Sequence, residues 1–74
     1  MKRSVTIAGH ETSVSLEPVF WTALETRARA LGLPLSALVA EIDALRIREA
    51  DPPNLASAIR TWVLETLRNE NNSH

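Results

Sequence analysis

The stretch Thr12-Ser-Val-Ser-Leu-Glu-Pro-Val-Phe-Trp21 changes its period halfway along. Up to Leu16, apolar and hydroxyl residues alternate, as in a strand with one buried face. From Pro18 onward the apolar residues recur every three or four positions, as on one side of a helix. Proline suits the first helical position, where its missing N–H is harmless. A strand running directly into a helix is therefore expected.

Working outward, Val5 and Ile7 alternate with Ser4 and Thr6 upstream, so residues 3–17 read as a β-hairpin. Placing a type II′ turn at Gly9-His10 sets Val5 against Val14, Ile7 against Thr12, Thr6 against Ser13, Ser4 against Ser15 and Lys2 against Glu17. One face is then apolar and the other hydroxyl-rich, with an ion pair at its end. Downstream, Phe20, Leu24, Ala28 and Leu31 predict a helix over about 18–31, bordered by Trp21 and stopped by Gly32. Leu35, Leu38, Val39, Ile42 and Leu45 predict a second helix over about 35–48. Pro52-Pro53 cannot continue it, and Asn54 is a good N-cap for a third over about 54–68, with Leu55, Ile59, Trp62, Val63 and Leu67 on its apolar face. The expected organisation is a single domain, 1–68, with a frayed polar tail at 69–74.

With 74 residues the chain is too short for most enzymes that need a deep walled cleft, yet 45% of it is apolar. Strand, helix and helix with one apolar strand face cannot close a core alone, whereas two copies can. A homodimer follows as the expectation, with Val14, Leu16, Phe20, Leu38 and Ile42 at its interface. The absence of cysteine excludes disulfides and thiolate metal sites and fits a reducing cytoplasm. A net charge of −1 announces neither nucleic acid nor membrane, and Lys2 and Arg3 concentrate positive charge at one end. No apolar h-region or membrane-spanning run appears, so a cytoplasmic protein is expected. His10 has no second histidine at helical or hairpin spacing and reads as a turn residue. Trp21 and Trp62 read as core or interface. With no phosphate loop, zinc spacing or nucleophile–base set, neither catalysis nor a cofactor is expected.

The segments quoted above, with Gly32-Leu-Pro-Leu-Ser-Ala-Leu-Val39, resemble the ribbon-helix-helix fold of small bacterial repressors. The Gly9-His10 turn, Thr12–Pro18, Leu38-Val-Ala-Glu-Ile-Asp43 and Asn54-Leu-Ala-Ser-Ala58 are similar to a subgroup with an N-terminal hairpin and an extra C-terminal helix. The resemblance implies a dimeric transcriptional regulator whose paired strands enter the major groove of double-stranded DNA at a short palindromic site. Ser13, Ser15 and Glu17 are then the base-facing positions, and Lys2, Arg3 and Thr6 join the DNA-facing set. The backbone at Pro34, Leu35 and Ser36, opening the second helix, is the phosphate site.

A second expectation belongs to a different class, a dimeric protein–protein interaction module (antitoxin-like or an adaptor) that keeps the fold without reading DNA. Near-zero charge, Glu17 and Pro34 motivate it, as does the width of a four-stranded dimer sheet. The apolar third helix would dock the protein partner.

Overall fold

The computed structural model describes residues 1–71, leaving the last three tail residues outside the description. Strands β1 (Lys2–Ile7) and β2 (His10–Ser15) form an antiparallel hairpin, followed by helices α1 (Pro18–Leu31), α2 (Leu35–Arg46) and α3 (Leu55–Asn71). The helices pack on one face of the hairpin, with α2 beneath β1 and α3 reaching β2.

The hairpin register differs from expectation by two residues. Lys2 faces Ser15, Arg3 faces Val14, Val5 faces Thr12 and Ile7 faces His10. The two central turn residues are Ala8 (φ 52°) and Gly9 (φ 81°), not Gly9 and His10. Positive φ at both positions is the type I′ geometry, whose twist matches that of the flanking strands. A slip of two residues preserves which side chains share a face. Val5, Val14 and Leu16 are accordingly buried, and the hydroxyl residues stay outside. The expected Lys2–Glu17 ion pair is not formed. Instead the ladder extends one pair further, with the Met1 amino group donating to Leu16 O (2.6 Å) and Leu16 N–H donating to Met1 O (3.1 Å).

Glu17 turns the chain into α1 with extended dihedrals, and Pro18 occupies the first turn. At the other end Gly32 (φ 71°) closes a Schellman arrangement, its N–H donating to Arg29 O and that of Leu33 to Ala28 O. The buried stripe of α1 is Trp21, Leu24 and Ala28. Phe20 is only half-buried and Leu31 is 48% exposed, so the helix is rotated relative to the expected stripe. Trp21 tolerates full burial because its Nε1–H donates to Met1 O at 2.7 Å.

Helix α2 ends at Arg46, two residues before the expected end. There the Arg46 guanidinium bridges back to Asp43 (2.8 Å) and donates to Pro53 O (3.1 Å), which holds the linker against the helix end. Asn54 Oδ1 accepts from the Ser57 N–H at 2.8 Å, the expected cap of α3. That helix continues through residues 69–71 rather than fraying after 68, and Arg27 of α1 meets its Glu70 at 2.7 Å.

Val5, Val14 and Leu16 of the hairpin, Trp21, Leu24 and Ala28 of α1, Leu38, Val39 and Ile42 of α2, and Ile59 and Val63 of α3 form one core. The expectation that a single copy leaves its core open is therefore corrected. Ile59 and Val63, at 0% and 4% exposure, fill the place where a strand-helix-helix unit would be open.

Candidate functional site

Alternation along the hairpin puts Lys2, Ser4 and Thr6 of β1 and Glu11, Ser13 and Ser15 of β2 on the face away from the helices, and all six are exposed. Ser4 faces Ser13, Thr6 faces Glu11 and Lys2 faces Ser15, so four hydroxyls are flanked by one cation and one carboxylate. The expected residues Lys2, Thr6, Ser13 and Ser15 are brought together here. Ser4 and Glu11 were not singled out from the sequence, although the same parity places them on this face.

Two other expected members lie elsewhere. Arg3 has the opposite parity. Its guanidinium stacks over the Trp21 ring at 4.8 Å and bridges to Glu25 at 3.0 Å, on the opposite face of the hairpin from Lys2. Glu17 falls past the last strand residue, at the N-cap of α1, and Arg60 of α3 grips both its oxygens, at 2.8 and 3.3 Å. That fork holds the Glu17 carboxyl below its ordinary pKa, chiefly through the hydrogen bond from Arg60. No local signal could identify this partner, which lies 43 residues away.

The residues expected at a dimer interface lie mostly inside the single chain's core. Val14, Leu16, Leu38 and Ile42 are each no more than 4% exposed within one chain, and only Phe20, half-buried, keeps surface for a second. What the chain does leave open is backbone. Met1 and Leu16 exchange both hydrogen bonds. By antiparallel alternation Arg3/Val14, Val5/Thr12 and Ile7/His10 do the same, and the N–H and C=O groups of Glu11, Ser13 and Ser15 point outward from β2.

At the start of α2, Pro34 has no N–H, and its carbonyl accepts from Ala37 and Leu38. The N–H groups of Leu35 and Ser36 precede any helical acceptor, and no side chain caps them. Of the eight basic residues, Arg3, Arg27, Arg46 and Arg60 are held in ion pairs. Lys2, Arg29, Arg48 and Arg68 have no acidic partner among the described residues. Within the same residues no cluster of three or more metal-ligating side chains occurs, and no helix is long and apolar enough to cross a membrane. His10 stands exposed at the turn. On α3, Leu64 and Leu67 remain about half exposed, at 59% and 48%, while Trp62 is half-buried.

A strand leading through proline into two helices joined at a left-handed glycine is the element order of the ribbon-helix-helix class, here with a strand before it and a third helix closing the core. The family model described as a ribbon-helix-helix domain matches residues 1–67, and the chain belongs to that family. No curated protein and no solved structure gives a match.

Proposed function

We infer that this protein is a dimeric DNA-binding regulator that presents the outer face of its hairpin to the major groove. The observation that carries this reading is the exposed face of Lys2, Ser4, Thr6, Ser13 and Ser15, lying beside a strand edge with unpaired backbone groups. Hydroxyls donate to and accept from base edges of either kind, so this face reads sequence through several modest contacts. The open N–H groups of Leu35 and Ser36 suit a phosphate. Glu17, which would repel phosphates, is instead neutralised by Arg60.

The test is enrichment of sheared genomic DNA on the purified protein at near-physiological salt, followed by sequencing. A short inverted repeat is the expected product. Replacing Ser13 and Ser15 together by Ala should sharply weaken the enrichment without moving the melting temperature, because both side chains are solvent-exposed and the change adds no charge to the paired strands. Equal binding by the double variant would show that the hairpin face is not the reader.

One observation favours a second reading, a dimeric protein-interaction module. β1 stays paired with β2 along its whole length. A dimer joined through β2 then has four strands, with outer axes roughly 14 Å apart at about 4.8 Å per strand, against a major groove about 12 Å wide. In that reading the partner docks on the exposed Leu64 and Leu67 of α3. Binding that is indifferent to salt would support it.

A further inference from the structure

Between α2 and α3 lies an open cleft of about 280 Å³ in which no hairpin residue takes part. Ile42, Leu45 and Glu49 come from α2 and the turn after it, and Ala58, Trp62 and Glu65 from α3. Intervals of three and four on both sides mean that one face of each helical stretch looks into the cleft. Ile42 is buried, Trp62 is half-buried and Leu45 is 52% exposed, so the cleft has an apolar, partly aromatic floor. Arg46 also reaches it, but Asp43 takes its charge and Pro53 O holds its far end. Glu49 and Glu65 stand exposed, and neither has a cationic partner among the described residues. The cleft is thus apolar below and negative at its rim.

We propose that this cleft docks a basic amphipathic helix of a partner protein, with its apolar stripe on Leu45 and Trp62 and its lysine or arginine side chains on Glu49 and Glu65. Both walls are helical, with backbone groups bonded within the chain, so they offer no edge for an extended strand to join. An incoming helix brings its own backbone satisfied and lays side chains into the furrow between two others. The half-buried indole of Trp62 is the anchor, because an aromatic ring with part of its surface open accepts an apolar side chain or a cation. Charge decides against a second copy of this chain. A two-fold axis through the cleft would bring four carboxylates together, with only the already paired Arg46 to offset them. Both readings above are left intact, because the hairpin's outer face, Leu64 and Leu67 all lie outside the cleft.

The experiment titrates the full chain, at near-physiological salt, into fluorescent helical peptides of about four turns and follows their anisotropy. One peptide carries leucines at helical spacing with lysines between them. A second replaces each lysine by glutamate, and a third replaces each leucine by alanine. The leucine–lysine peptide should bind saturably, and the other two about tenfold or more weakly. Replacing Glu49 and Glu65 together by Gln should leave the melting temperature in place, because both are exposed, and weaken binding about tenfold or more. Glu11→Gln combined with Glu41→Gln removes the same charge outside the cleft and should leave Kd within about twofold. Equal losses from the two pairs would mean that the peptide follows net charge alone, which overturns the proposal. So does a leucine–lysine peptide that fails to bind, or an alanine–lysine peptide that binds as well. Light scattering on the same samples checks the remaining occupant. A Glu49→Gln, Glu65→Gln variant that binds no peptide more weakly than the parent, yet self-associates more tightly, would make the cleft a contact between copies and overturn the proposal.

Discussion

Ala8 takes a backbone conformation, φ 52°, that costs an L-residue with a Cβ roughly 1–2 kcal/mol. Its neighbour Gly9 (φ 81°) is at ease there. Asn tolerates this region far better than Ala and is favoured at the first central position of a type I′ turn. Ala8→Asn should therefore stabilise the protein by about 0.5–1 kcal/mol and raise its melting temperature by several degrees. An unchanged melting temperature would place the turn elsewhere. At Glu17 the sign of the pH effect is set by the lowered pKa. The Arg60 contact stabilises the fold above the ordinary carboxyl value of 4.5 and is lost as pH falls through the lower folded value. Glu17→Gln should melt below the parent at neutral pH and converge with it in acid. A gap that persists in acid would mean that the carboxylate charge is not what matters.

At the scale of elements, α3 separates this chain from a bare strand-helix-helix unit. Its Ile59 is wholly buried and Val63 nearly so, against residues of the hairpin and both other helices. Ile59→Ala removes methyl groups from a site that cannot collapse easily, and a loss of about 2–5 kcal/mol is expected in chemical denaturation. Asn54→Ala, which removes only the cap bond to Ser57, should cost about 1 kcal/mol. If the two variants unfold alike, α3 is not packed as described. The hairpin shows why some of this was legible beforehand. Period-two patterning marks faces, and Val5, Val14 and Leu16 are buried as that pattern requires. Patterning cannot distinguish registers two residues apart, so the partners of Val5 and Lys2 are set by the turn geometry and not by the alternation.

For the whole molecule, binding to DNA depends on how many cations face the partner. Four of the eight basic side chains are held by acids within the chain, leaving Lys2, Arg29, Arg48 and Arg68 as candidate phosphate contacts. If all four served in both chains of a dimer, log affinity would fall by at most about seven per log unit of salt, at roughly 0.9 per phosphate. A smaller non-zero slope, measured by titrating an enriched site from low to moderate salt, is expected. Lys2→Ala should reduce it by roughly two, one for each chain. A flat titration would transfer the weight to the interaction module.

Local rules, acting within a few residues, determined much of this protein from its sequence alone. Gly32 and Pro34 separate the first two helices, Asn54 caps the third, and alternation sends Ser13 and Ser15 to the wet face. Tertiary structure alone decided what depends on residues far apart in the chain. It drew Arg3 onto Trp21 and Glu25, gave Glu17 to Arg60, and turned α1 so that Trp21 rather than Phe20 points inward. It also closed the core within one chain by bringing Ile59 and Val63 under the hairpin, leaving the β2 edge open where apolar side chains had been expected to pair. The division has a physical cause. Periodicity and capping are short-range constraints on the backbone, whereas ion pairing and the final rotation of a helix are set by how all the elements share one limited core.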